Sequence, residues 1–190
     1  MTQNILILVD KRFFSGKIDK TLYKWEIVGE SGQMKLSGEH FVALDEKYRI
    51  TLPSQLRKEL DTSVVKITKG DENCLWLYTT EKWDEMIGDP IKELTNPFSK
   101  KNRRVLRKYI APSQTVEIDK VGRIILPESL RIYAGILKDC VVTGVLDYIE
   151  IWDAQRYQAY CDEDNEDNAD EFEAASEELS QIIKRKRGID

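Results

Sequence analysis

Through the middle of the chain the apolar positions fall in short runs bounded by turn-forming residues, a pattern that predicts strands more than long helices. Phe41–Leu44 and Val116–Ile118, rich in β-branched or aromatic side chains, are expected as strands. Asp45 and Asp119 then open tight turns, because a short carboxylate accepts hydrogen bonds from nearby backbone N–H groups. Arg49–Leu52 and Arg123–Leu126 are expected to return as strands, giving hairpins with charged residues at their tips. Pro53 and Pro127 suit the first position of a short helix, where a missing N–H costs nothing. Val64–Lys69 with Leu75–Tyr78, and Cys140–Thr143 with Tyr148–Trp152, predict a second pair of hairpins. Thr79 and Asp153 are N-cap residue types, each expected to start a helix. The first of these helices is expected to break at Asp89-Pro90, and a second stretch from about Ile91 to end before Pro112.

The same pattern occurs twice. Val42–Arg57 (VALDEKYRITLPSQLR) superimposes without gaps on Val116–Arg131 (VEIDKVGRIILPESLR), 74 residues later. Over the forty-three positions from Phe41 and Thr115, nine are identical, and eight of them cluster as Val, Asp, Arg, Ile, Leu, Pro, Leu and Arg. Chance does not place Asp-x-x-x-Arg-Ile-x-Leu-Pro-x-x-Leu-Arg twice in register, so the chain contains a duplicated structural unit. A unit of this size buries little core alone, which predicts that the two copies pair.

Composition narrows the function. The 190 residues are 41% hydrophobic and 33% charged, and no apolar run approaches the roughly 20 residues that span a bilayer. No membrane association and no signal peptide are expected. Cys74, Cys140 and Cys161 form no CxxC pair, which fits a reducing cytoplasm better than a disulfide framework or a zinc knuckle. One histidine, His40, and no paired nucleophile leave little basis for an enzyme, and no cofactor or metal is expected. Trp25, Trp76, Trp83 and Trp152 are read as packing residues.

The net charge of −5 hides an asymmetry. Ten acidic residues and no basic ones lie between Cys161 and Ser180, and Lys184-Arg185-Lys186-Arg187 follows. Without that acidic block the rest of the chain is net positive, and Lys100–Lys108 alone holds six basic residues. Such an asymmetry points to a polyanionic partner. The Lys100–Lys108 cluster is read either as a DNA-backbone contact or as the solvated face of a linker helix. The acidic stretch is read as a solvating, disordered tail.

LDEKYRITLPSQLR and IDKVGRIILPESLR, together with the Glu150–Asp153 segment EIWD, resemble the SpoVT/AbrB-like swapped-hairpin domain. Two tandem copies, a helical linker and a further helix resemble the MraZ family of bacterial transcriptional regulators. The resemblance covers about Met34 to Tyr160. It implies an α+β fold, mainly β, in which two swapped-hairpin units form a pseudo-twofold β-barrel with linker and C-terminal helices. The boundaries read from it are an N-terminal extension at 1–34, units at 39–84 and 113–157, a linker at 85–112 and a C-terminal helix and tail at 158–190. It also implies a ring-shaped homo-oligomer, cytoplasmic and nucleoid-associated, that binds double-stranded DNA at short tandem repeats upstream of cell-division and cell-wall genes. The arginines of the two turns, Arg49 and Arg123, would contact DNA, with Lys47 and Lys120 as nearby phosphate contacts. An arginine fork on a rigid turn engages guanine or phosphate bidentately. Asp45, Asp119 and Gly122 would shape the turns. Arg57 and Arg131 are read either as structural braces or as DNA contacts.

The chain departs from the family at three places. Tyr48 stands where the family has glycine, whereas Gly122 retains it. If the turn needs φ > 0, Tyr48 costs of order 1 kcal/mol or more. Met1–Gln33 has no counterpart in the repeat and is read as an added strand around Ile5–Val9 or as an artefact of the start site, the second being favoured. The acidic and basic end is longer and more charged than the family's. A barrel-type protein-interaction adaptor without DNA binding is the alternative function, and an enzyme the third.

Overall fold

A computed structural model describes residues 36–93, 99–166 and 169–187; the N-terminal extension with its Ile5–Val9 segment and Trp25 lies outside them. In chain order the described elements are β1 (Leu36–Ala43), β2 (Arg49–Thr51), α1 (Ser54–Leu60), β3 (Val64–Lys69), β4 (Leu75–Thr79), α2 (Thr80–Trp83) and α3 (Asp89–Lys92). They continue with α4 (Lys100–Val105), β5 (Gln114–Glu117), β6 (Arg123–Ile125), α5 (Glu128–Ala134), β7 (Asp139–Leu146), β8 (Tyr148–Asp153), α6 (Ala154–Glu166) and α7 (Ala169–Arg187). Two π-helical turns follow α2 and α4, at Asp84–Gly88 and Leu106–Ile110. The result is a mixed α+β structure whose strands pair antiparallel.

The duplication is visible residue for residue. α1 and α5 occupy equivalent positions, and each ends at a residue in the left-handed region, Asp61 (φ 44°) and Gly135 (φ 67°). Pro53 and Pro127 lie one residue earlier than expected. Each is the N-cap, with ψ of 138°, and its carbonyl accepts the N–H of Arg57 or Arg131 at 2.9 Å. Thr79 caps α2 by accepting the Lys82 N–H at 3.1 Å, and Asp153 accepts the Gln155 and Arg156 N–H groups. The β3–β4 and β7–β8 hairpins form as expected.

Strand pairing corrects the expected first hairpins. β1 pairs with β7 of the other repeat rather than with β2, and β5 pairs with β3. β2 pairs with β6 across the repeats. Each copy therefore lends its first strand to the other. The described pairings make one six-stranded sheet, in the order β1-β7-β8-β4-β3-β5, and a separate two-stranded ribbon. The exchange has a hydrophobic cause: Ile50, Leu52, Leu56, Leu75 and Leu77 of the first copy share one core with Ile124, Leu126, Leu130, Ile149 and Ile151 of the second. Fully burying one such side chain contributes roughly 1.5–3 kcal/mol, so joining the two sets outweighs keeping each half-covered.

Two further expectations are corrected. The helical path does not break at Asp89-Pro90; the N–H of Asp89 reaches back to the Asp84 carbonyl, and Pro90 enters the first turn of α3, where no N–H is required. The acidic stretch is not an irregular tail over its described residues, because α6 carries it to Glu166 and α7 from Ala169 as helix. Acidic residues crowd the start of α7 and Lys184–Arg187 its end, the arrangement that the helix dipole favours.

Candidate nucleic-acid interface

The two Asp-x-x-x-Arg turns adopt one geometry. Tyr48 N–H donates to the Asp45 carbonyl at 2.9 Å and Gly122 N–H to the Asp119 carbonyl at 2.8 Å, closing each turn. The next residue position is then reached through positive φ, 57° at Tyr48 and 92° at Gly122, the bulged form of a short β-turn. The turn does require φ > 0, so Tyr48 carries strain that Gly122 avoids.

Each aspartate binds its turn from within. Asp45 Oδ1 accepts the N–H groups of Lys47 (2.8 Å) and Arg49 (3.0 Å), while Oδ2 accepts Arg49 Nε at 2.8 Å and faces Nη2 at 2.6 Å. Asp119 repeats this with Val121 N–H (2.9 Å), Arg123 N–H (2.9 Å) and Arg123 Nε (2.7 Å). The Arg49 side chain, then its backbone N–H, holds the Asp45 carboxyl down at about 2. At Asp119 the Arg123 backbone N–H leads, again to about 2. Each arginine is thus clamped to its own aspartate through Nε, and Arg49 through Nη2 as well.

The ribbon brings the two arginines together. Ile50 lies opposite Ile124, Arg49 opposite Ile125 and Thr51 opposite Arg123. Because side chains alternate across a strand, Ile50 and Ile124 point into the core with no exposure, and Arg49, Thr51, Arg123 and Ile125 share the outer face. Arg49 and Arg123 are diagonal neighbours, on the order of 7–8 Å apart at the backbone. Lys47 and Lys120 stand exposed in the turns at its two ends. Repeat matching alone could not show this, since it left open whether the two arginines were neighbours.

Arg57 and Arg131 act crosswise. Arg57 Nη1 donates to the Val121 carbonyl of the second turn at 2.8 Å. The Arg131 guanidinium lies 3.8 Å from the centre of the Tyr48 ring in the first. Each helix thereby reaches the other copy's turn. The Tyr48 ring takes the room that glycine gives Arg57 at the other turn, and stacking returns about 0.5–1 kcal/mol at an exposed site. Relief of strain and loss of stacking oppose each other, so Tyr48→Gly is expected to leave chemical-denaturation stability within about 1 kcal/mol of the parent.

Acid titration checks the clamps. A carboxyl whose folded pKa is depressed stabilises the fold above its unfolded value, about 3.9, and loses that contribution as pH falls through the folded value. Stability conferred by Asp45 and Asp119 is therefore expected to persist to about pH 4 and to vanish toward about pH 2, where both carboxyls protonate. Carboxyl resonances followed by NMR would show it, and midpoints near 4 would contradict the clamp.

The basic linker divides. Lys108 pairs with Asp71, which also accepts the Tyr109 hydroxyl at 2.9 Å, and the Tyr109 ring stacks on Trp76 at 5.8 Å. The end of the cluster is thus a strap onto β3 and β4, a role carrying no local sequence signal because Asp71 is 37 residues away. Trp83 and Trp152 pack against tyrosines, as read from the sequence. His40 sits within β1 opposite Val142. Among the described residues no group of three histidine, cysteine or acidic side chains could hold a metal ion, and no helix is long and apolar enough to cross a membrane.

The family model described as "MraZ protein, putative antitoxin-like" matches the chain twice, over residues 36–108 and 110–180. The chain belongs to the MraZ family. A transcriptional regulator MraZ from Treponema denticola is 42% identical over 147 residues, covering 77% of this chain and 99% of the relative. One from Treponema pallidum is 38% identical over 146 residues, 77% of this chain and 95% of the relative. One from Acetivibrio thermocellus is 36% identical over 129 residues, 67% and 87% respectively. Both family matches begin and end so that each contains one Asp-x-x-x-Arg turn. The last ten residues, with Lys184–Arg187, fall beyond them.

Proposed function

We propose that the chain is a sequence-specific DNA-binding transcriptional regulator that reads promoter repeats through the β2–β6 ribbon. One observation carries this: two clamped arginines on the exposed face of a two-stranded ribbon, with a lysine in the turn at each end. A two-stranded ribbon fits the major groove, and arginine forks read guanine there while lysines position the backbone. Arg49 and Arg123 are the base-reading residues, and Lys47 and Lys120 contact phosphates. Asp45 and Asp119 orient the arginines, because a carboxylate facing phosphate directly would be repelled. Arg57 and Arg131 hold the turns at their spacing. The exchanged strands support a swapped-hairpin, pseudo-twofold barrel as the platform beneath the ribbon. The targets are short tandem repeats upstream of cell-division and cell-wall genes, and the protein works in the cytoplasm at the nucleoid.

The working form is a ring-shaped homo-oligomer. Phe41 on the edge strand β1 (73% exposed) and Leu137 (84% exposed) leave apolar surface of the kind that subunit contacts cover. One ribbon spans one half-site, and a ring adds affinity by presenting several ribbons at high effective concentration. Repeats about 10 bp apart would meet successive ribbons on one face of the duplex. Titration against the chain's own upstream DNA tests this. Inserting about half a helical turn between repeats is expected to remove most of the affinity. Log K is expected to fall with log salt by about 0.9 per phosphate neutralised. Affinity unchanged by the insertion would overturn the ring-on-repeats reading, and no retardation of DNA at moderate salt would favour an adaptor instead.

A further inference from the structure

α7 is a helix without a visible reason to be one. From Glu173 to Lys186 every side chain is exposed except half-buried Ser176, and single helices of this length are marginal in water. One face is nevertheless apolar. Leu179, Ile182 and Ile183 stand 41–57% exposed at spacings of three and four, and Ala175 and Ser176 continue the stripe toward the N-terminus. Charge runs along the same helix with one inversion. Glu173, Glu177 and Glu178 precede Leu179, and Lys184, Arg185 and Lys186 follow Ile183.

We propose that α7 pairs antiparallel with α7 of a second copy of this chain, stripe to stripe, about a two-fold axis near Leu179. The charge inversion selects the partner. Under such an axis Glu173 of each copy lies beside Lys184 of the other, whereas parallel pairing sets acid against acid and base against base. DNA would be drawn to one half of α7 and repelled by the other. Knobs-into-holes packing of the Leu179, Ile182 and Ile183 stripe excludes water, and the flanking charges set orientation. The contact is short, so it is weak for isolated chains and effective where many copies are assembled. It lies apart from the β2–β6 ribbon and does not rest on the DNA-binding reading. The family match ends at residue 180, so it contains Leu179 and the acidic half of α7 but not Lys184–Arg187.

The test uses the full chain with Cys161→Ser, Cys74 and Cys140 being buried. Ala175→Cys and Ile182→Cys are made in separate chains and treated with a short bismaleimide, alone and mixed. Antiparallel pairing brings position 175 of one copy near position 182 of the other, so the mixture is expected to cross-link several-fold more than either variant alone. Charge reversal supplies the second arm. Lys184→Glu/Arg185→Glu/Lys186→Glu, or Glu173→Lys/Glu177→Lys/Glu178→Lys, is expected to weaken self-association roughly tenfold or more. Mixing the two reversed chains is expected to restore it, which excludes simple unfolding of the helix. Cross-linking of each cysteine variant with itself as efficiently as with the other, or failure of the mixture to recover, would overturn the proposal. A DNA titration on the same samples reports separately on the ribbon.

Discussion

Arg123→Ala is expected to remove specific DNA binding while leaving the fold intact, and Arg49→Ala to do the same. Each guanidinium is held at the ribbon face by its own aspartate, so its loss removes a pre-oriented contact and not a flexible one. An arginine that reads a base contributes about 1–3 kcal/mol of discrimination, or roughly 5- to 150-fold per engaged site. In a ring the losses recur in every subunit, so operator affinity should approach that for random DNA. Lysine at either position is expected to fail as well. Its single ammonium cannot keep the carboxylate and also present a planar fork. Stability should shift little, because the ion pairs are partly solvated surface pairs. Salt-controlled titration against operator and random DNA, with denaturation of the same samples, checks both halves. Parent-like operator binding by Arg49→Ala would mean that the first repeat only supports the second.

Gly122→Ala is expected to show the largest effect on stability of any single methyl added to the ribbon. At φ 92° an alanine is strained, and its Cβ would overlap the Arg57 guanidinium, 2.8 Å from Cζ. Arg57 must then leave the Val121 carbonyl. The expected cost is about 1–3 kcal/mol. Arg57→Ala vacates the space, so the double variant should be less destabilised than the two single changes together. That non-additivity separates the cross-brace from backbone strain, which Arg57→Ala cannot relieve. Additive costs would show that the brace does not hold the second turn. DNA affinity should fall with Gly122→Ala even where folding is complete, since a displaced turn moves Lys120 and Arg123.

Local chemistry made much of this molecule legible in advance. The doubled Asp-x-x-x-Arg-Ile-x-Leu-Pro-x-x-Leu-Arg motif located both turns, both short helices and the second hairpins, because capping, turn chemistry and apolar spacing act within a few residues. Tyr48 was recognisable as a strained position because the backbone demand at a turn is local. The charge split along α7 was readable too, although composition alone suggested disorder where acids and bases arranged along the dipole support a helix.

Partnership between distant residues was not legible. That β1 joins β7, that Arg57 reaches Val121 and that Arg131 covers Tyr48 depend on the two copies burying one core together. Nothing in a forty-residue window distinguishes a hairpin that closes on itself from one whose strands are exchanged, since both satisfy the same alternation of inward and outward side chains. By itself the sequence determined the repeated unit, its turns and the arginine that each turn carries. Only the tertiary structure decided that those arginines lie side by side on one ribbon, because shared burial of Ile50 and Ile124 pairs the two strands that carry them.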